Sequence, residues 1–495
     1  ASYGTVVIPP SYTISRKTLE LLKSFAQSGG SVIAVQPLPT TVDASEAVGD
    51  ELKRFRAVGS PAEAALTLRA NGGEISVECD DDENGEVVVH ARKVDNEVLV
   101  FVANLDREGA HSVNLSLKGR WTLQRLDPLT GKAEKEGTSY SDGRTTLSGR
   151  AELGPAGSAL WLASPQAGEG NAEARSAGEP AEEGKTRLEI PVQDWSFEPV
   201  EKNALLLDYA TMPSPSPRSL LASSSASPSS ANPPPLHVSA VKRRLMAMGP
   251  GKEAKVIFTA EVEELPPGKV YLVVERNPNV TSVSFNGVPV SAAPSFNWLD
   301  EDFPAYDISS LLKVGPNEVE VGIRVGLDFD LEPLYLLGDF EVEAMPAGRS
   351  RIRRKRGGTP SSFADLAKEG YPFYCGEVTL SGRFSLQGLP PGPKRVYLEL
   401  RYSAALAVVR INGSSPIYAI NKRERLDVTE LVKDGNNGLK ITLVGTLANA
   451  LGPLHRKAAK TCVGPESFYA SGGDWTDDYV TYPLGLDECT VVAII

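Results

Sequence analysis

Aromatic and acidic residues stand together at two places in the sequence: Trp298 with Asp300 and Asp302, and Trp475 with Asp477, Asp478 and Tyr479. An aromatic face stacks on the apolar face of a pyranose, and carboxylates beside it accept the sugar's hydroxyls, so either group could be a sugar platform. Either aromatic could equally be a loop anchor packed on its own domain. His455 follows Gly452, Pro453 and Leu454 at a strand end, where loops often carry function, and is the third candidate. Trp298, Asp300, Asp302, His455, Trp475 and Tyr479 are thus the candidate carbohydrate-binding residues.

Other chemistry finds no pattern. The four histidines, His90, His111, His237 and His455, lie outside ligand spacing of one another, so no helical zinc site is expected. There is no GxSxG elbow, P-loop or dinucleotide fingerprint, and no residue reads as a nucleophile, so no catalytic residue is expected. Glycoside hydrolysis needs two carboxylates across the scissile bond, a separation that sequence does not carry. Asp80, Asp81, Asp82 and Glu83 lack the spaced ligands of a calcium loop and read as a charged turn. No cofactor is expected, with a structural Ca2+ the one alternative left open.

Composition bounds the class. A chain of 495 residues exceeds a single core and predicts several domains. With 45 Gly and 37 Pro it suits many short strands joined by turns. The net charge of −12 disfavours a phosphate backbone, so nucleic acid is not expected as a partner. No apolar run is long enough to span a bilayer. Cys79, Cys375, Cys462 and Cys489 leave one disulfide or none as alternatives. Sequons at Asn114, Asn279 and Asn412 are glycosylation candidates in an extracellular chain. The basic run 351–356 reads as a solvated interdomain loop, with a processing site or polyanion patch as the alternative.

Hydrophobic periodicity then places the elements. Residues 1–70 open on a β-α-β crossover: an apolar run at 5–8, a helical face of Leu19, Leu22 and Phe25 stopped by Gly29 and Gly30, and a second strand. Two parallel strands and one helix cannot cover both faces of such a sheet, which predicts completion by upstream sequence or a partner chain. Period-two patterning from about 73 predicts an antiparallel β-sandwich over 71–165. Residues 166–187 read as a flexible linker, and 212–235 as a Ser/Pro-rich insertion inside a third domain spanning 188–347. A basic linker, 348–369, precedes a fourth domain, 370–495.

An internal repeat relates the last two domains. Val-Ser-Phe-Asn-Gly at 283–287 corresponds to Val-Arg-Ile-Asn-Gly at 409–413, and Asp307, Lys313, Gly315 and Asn317 recur at the same offsets as Asp427, Lys433, Gly435 and Asn437. These residue types suit tight turns and caps more than ligand contact. The expected fold class is mainly β: tandem sandwiches preceded by a partial α/β domain.

The repeat resembles the galactose-binding-like jelly rolls appended to glycoside hydrolases. With Asn203–Tyr209, Trp298–Asp300, Leu334–Phe340, Gly370–Gly376 and Thr446–His455, the chain is similar to the C-terminal half of family 106, α-L-rhamnosidase-like glycoside hydrolases. The resemblance implies an upstream (β/α)8 barrel carrying the catalytic carboxylates, followed by a glutaminase-like domain of which 1–70 would be the tail. It also implies a secreted, non-catalytic accessory portion acting on rhamnose-containing or related polysaccharide. The alternative is an adhesion, scaffold or lectin-like subunit of an extracellular complex.

Overall fold

The computed structural model of the chain describes residues 3–48, 50–70, 74–79, 85–128, 130–166, 186–213, 234–291, 293–390, 395–458 and 462–495. The fold is mainly β, as the composition predicts. The chain divides into two compact units, 1–181 and 182–495. Among the described residues no helix is long and apolar enough to cross a membrane. The acidic run 80–83 and most of the linker and Ser/Pro segments lie outside the described residues.

The first unit opens on a three-stranded parallel sheet of Thr5–Ile8, Ser31–Val35 and Arg56–Val58. Side chains alternate across the central strand. Val32 and Ala34 join Leu19 and Leu22 of the Arg16–Gln27 helix, while Ile33 and Val35 join Val58 and Ala64 of a second helix, Pro61–Ala70. The sequence pattern predicts only two of these strands and one helix. The third strand and second helix were missed because Arg56–Val58 is only three residues long, and together they put a helix on each face of the sheet. A small sheet of Thr13–Ile14, Thr41–Val42 and Glu46–Ala47 lies beside it, and from Ile75 on the unit is a sandwich of two antiparallel sheets closed over Val100, Val102, Leu115 and Trp161. Among the described residues no disulfide forms, and Cys375, Cys462 and Cys489 are free thiols.

The second unit holds two sandwiches. In the central one, a five-stranded sheet built on Asn203–Leu207, Leu334–Gly338 and Tyr271–Val273 faces an eight-stranded sheet built on Glu253–Val262 and Gly315–Arg324. In the C-terminal one, sheets built on Gly485–Ile494 with Arg395–Ser403, and on Glu377–Ser385 with Asn436–Val444, enclose a separate core.

Both sandwiches use the repeat for turn chemistry. Asn286 and Asn412 have φ of 49° and 52°, each followed by a glycine with φ above 70°, as a tight hairpin requires. Their amides donate to Asn317 Oδ1 and Asn437 Oδ1 at 2.9 and 2.8 Å, and to the carbonyls of Leu311 and Leu431. Asp307 and Asp427 accept the hydroxyls of Ser309 and Thr429. The repeat residues close turns, as their types predict.

Two expected boundaries move. Arg187–Pro191 and Gln193–Pro199 do not start the central sandwich; they pair with Thr490–Ile494 and with Glu377–Ser385 as outer strands of the C-terminal one. Strand pairing across so many residues leaves no local signal. The basic run is no linker either: Arg349–Arg354 is a strand paired with Phe340–Met345. Ser350 and Ile352 point inward, while Arg351 and Arg353 point outward onto Glu343 and Glu263. Alternation hid an ion-paired strand inside a basic motif.

Candidate functional site

Every residue of Asn203–Leu207 and of Leu334–Gly338 is buried, the mark of strands covered on both faces. One face meets the core. Over the other lie residues 445–458 and 462–484, from the connection that leaves the C-terminal sandwich after Asn436–Val444 and returns at Gly485. Tyr335, paired opposite Leu206, donates its hydroxyl to the Ala450 carbonyl at 3.0 Å, and Leu454 joins the central core. The connection thus brings its residues to the end of the Asn203–Leu207 strand.

There Asp208, 3% exposed, gathers partners from three segments. His455 Nε2 lies 2.9 Å from Asp208 Oδ2, and Tyr479 donates its hydroxyl to Asp208 Oδ1 at 2.7 Å. His237, 3.9 Å from Asp208 Oδ2 through Nε2, is the N-cap of the Val238–Met248 helix and accepts the Ser239 backbone N–H on Nδ1. Burial pushes the His237 imidazole down to about 4, against the pull of Asp208. His455 Nδ1 faces the Thr476 carbonyl at 3.0 Å, which only accepts, so that nitrogen carries the hydrogen.

Aromatic rings complete the cluster. Trp475 stacks on His455 with ring centroids 5.1 Å apart and meets His237 edge-on at 4.9 Å. Tyr209 donates to Asp477 Oδ1 at 2.7 Å, and Trp475 Nε1 donates to the same oxygen at 3.1 Å, which holds the Asp477 carboxyl below its usual range. Burial pushes the Tyr479 and Tyr209 phenols up, so both stay protonated donors.

Arg456, 5% exposed, fixes the loop that carries Trp475. Its guanidinium donates to the carbonyls of Glu466, Ser467, Tyr469 and Ser471 and to Asp474 Oδ1. The loop leaves a cavity of about 420 Å3, lined among others by Trp475, Phe468, Tyr469, Glu332 and the Lys242–Asp330 ion pair. Asp208, His237 and His455 lie in its wall. Burial, then the Asp330 charge, pushes Glu332 up.

Comparison with known proteins gives only distant likeness. No protein-family model matches the chain, and no curated protein matches it. Among solved structures it is similar to a rhamnosidase from Novosphingobium sp. PP1Y, with TM-score 0.39 and 14% identity over 97% of this chain and 33% of that one. It is also similar to Streptomyces avermitilis α-L-rhamnosidase complexed with L-rhamnose, with TM-score 0.25 and 12% identity over 84% of this chain and 39% of that one. A third is the apo exo-carrageenase GH42 from Bacteroides ovatus, with TM-score 0.23 and 19% identity over 33% of this chain and 22% of that one. The chain spans well under half the length of each.

Of the six candidate sugar-contacting residues, the fold brings together His455, Trp475 and Tyr479. Trp298, Asp300 and Asp302 sit elsewhere. Trp298 packs on Tyr335 and Phe303 against the central core, and Asp300 Oδ1 accepts the Asp302 backbone N–H, closing a short loop around Leu299 at φ 60°. Two glycosylation candidates are committed to structure. Asn279 is 7% exposed with its amide donating to Asn277 Oδ1, and Asn412 uses both amide hydrogens in the turn, one of which a glycan would replace. Asn114 lies half-buried on the His111–Lys118 strand.

Asp208, His237 and Arg456 were missed. Asp208 had a signal, a carboxylate ending a run of buried leucines, and His237 stands directly before a helix start.

Proposed function

We propose that the chain is the non-catalytic, carbohydrate-binding part of a secreted glycoside hydrolase acting on a rhamnose-containing or related polysaccharide, and that the cavity under Trp475 is its sugar site. One observation carries the reading: a cavity of about 420 Å3 shares its lining between aromatic side chains (Trp475, Phe468, Tyr469) and planar or charged hydrogen-bonding groups (Glu332, Asp330, Lys242). That is the composition a small-molecule pocket needs when the ligand has one apolar face and a rim of hydroxyls. Phe468 and Tyr469 are partly exposed, which leaves apolar surface for a ligand to cover.

The likeness of the sequence motifs to the rhamnosidase-like family supports the same reading, and it assigns cleavage to a barrel upstream. The bridge between the sandwiches then serves to hold the loop rigid, so that binding costs little ordering. A glycan array probed with the purified chain should give a defined set of oligosaccharides, with binding weakened at least tenfold in Tyr469→Ala, while aryl rhamnosides are not hydrolysed. Array binding that is indifferent to Tyr469→Ala, or turnover by this chain alone, would contradict the reading.

A further inference from the structure

We propose that Asp208, His237 and His455 bind one zinc-class transition-metal ion, with a coordination position open to the cavity. A donor atom from each lies within 4.8 Å of the others. The two imidazole Nε2 atoms stand 2.9 and 3.9 Å from the same carboxylate oxygen, Asp208 Oδ2. Donors about 2.0–2.2 Å from a tetrahedral zinc ion are about 3.3–3.5 Å apart, so the observed separations bracket the required spacing and small side-chain rotations meet it.

Two imidazoles and one carboxylate suit zinc, whereas Ca2+ and Mg2+ prefer an all-oxygen shell. Each ligand is also held from behind. His455 Nδ1 donates to the Thr476 carbonyl at 3.0 Å, and a His237 ring ligating through Nε2 carries its hydrogen on Nδ1, where it donates to Ser239 Oγ 2.9 Å away in place of accepting the Ser239 N–H. The Tyr479 hydroxyl donates to Asp208 Oδ1 at 2.7 Å, leaving Oδ2 turned toward both imidazoles. Outer partners of this kind set ring orientation and aim the lone pairs at a common point.

Ser239 Oγ is itself positioned by the Ala470 backbone N–H at 2.9 Å, so the same loop that carries Trp475 orders the helix end bearing His237. All three ligands line the cavity, so the fourth position faces space that water or a ligand hydroxyl can fill. The inference stands whether or not a sugar occupies that cavity.

The test uses the full chain, treated with a chelator, and two probes: Zn2+ followed by calorimetry and Co2+ followed by its visible d–d bands. One ion per chain with a tetrahedral cobalt spectrum is expected. His237→Asn keeps a helix-capping side chain and should fold as the parent does, yet lose at least about 100-fold in affinity. His455→Gln should lose the ion as well. A second acidic–histidine group, Glu86, Asp106 and His111, lies in the first unit, so His111→Gln is included and should leave the affinity unchanged. No binding in the parent chain, or binding that persists in His237→Asn and His455→Gln, overturns the proposal.

Discussion

The Trp298 and Trp475 loops carry the same Trp-x-Asp spacing, Trp298 with Asp300 and Trp475 with Asp477, and the fold uses them in opposite ways. The first closes on itself: Trp298 N donates to the Phe303 carbonyl, Asp300 accepts within its own turn, and the indole fills a niche on Tyr335. The second crosses between sandwiches. Asp477 accepts from Tyr209 of the other sandwich, and the indole stacks on a histidine whose partner, Asp208, also belongs there. A local pattern sets what a loop can bond with. What it does bond with depends on where the fold delivers it.

The largest expected effect comes from removing what holds the second loop. Arg456→Ala deletes five hydrogen bonds of a buried cation and should cost about 3–5 kcal/mol in chemical denaturation of the second unit. A loss below about 1 kcal/mol would mean that the loop is held by its apolar contacts instead. Next, Trp298→Ala should cost about 3 kcal/mol as a cavity mutation and leave oligosaccharide affinity within twofold. If its affinity falls with its stability, the two tryptophans are not separated as described.

Trp475→Ala should do the reverse in binding, weakening oligosaccharide affinity at least tenfold, or about 1.4 kcal/mol, in a calorimetric titration. An unchanged affinity would remove Trp475 from the ligand surface. The smallest effect concerns the first loop's acidic neighbours. Burial, then the carboxylates of Glu332, Asp330, Asp302 and Asp300, push Glu275 up to about 7 from 4.5. The folded chain therefore holds a proton that the unfolded chain releases, and stability falls as pH rises between 4.5 and 7. Glu275→Gln should flatten denaturation midpoints across that window, and an unaltered slope would place the titration elsewhere.

The β architecture and the tandem repeat were legible in the sequence because period-two runs and the Asn-Gly, Lys-x-Gly-x-Asn turns are local signals. Half of the site was legible too. His455, Trp475 and Tyr479 lie within 25 positions of one another, so composition alone marks the segment. Asp208 and His237 were not, since Asp208 meets His455 247 positions away and His237 meets the Trp475 ring from the same distant connection, contacts that only the fold brings together. The same reason explains why 188–199 was expected in the central sandwich, whereas Arg351 and Arg353 read as a solvated loop because their inward neighbours Ser350 and Ile352 are hidden in a basic run.

The most direct measurement is a crystal structure of the chain with the tightest-binding oligosaccharide from the array. A pyranose lodged in the cavity against Trp475 and Tyr469, with its hydroxyls on Glu332 or the Lys242–Asp330 pair, is the predicted result. A sugar ordered on the outer face of either sandwich with the cavity still holding only water would contradict the account.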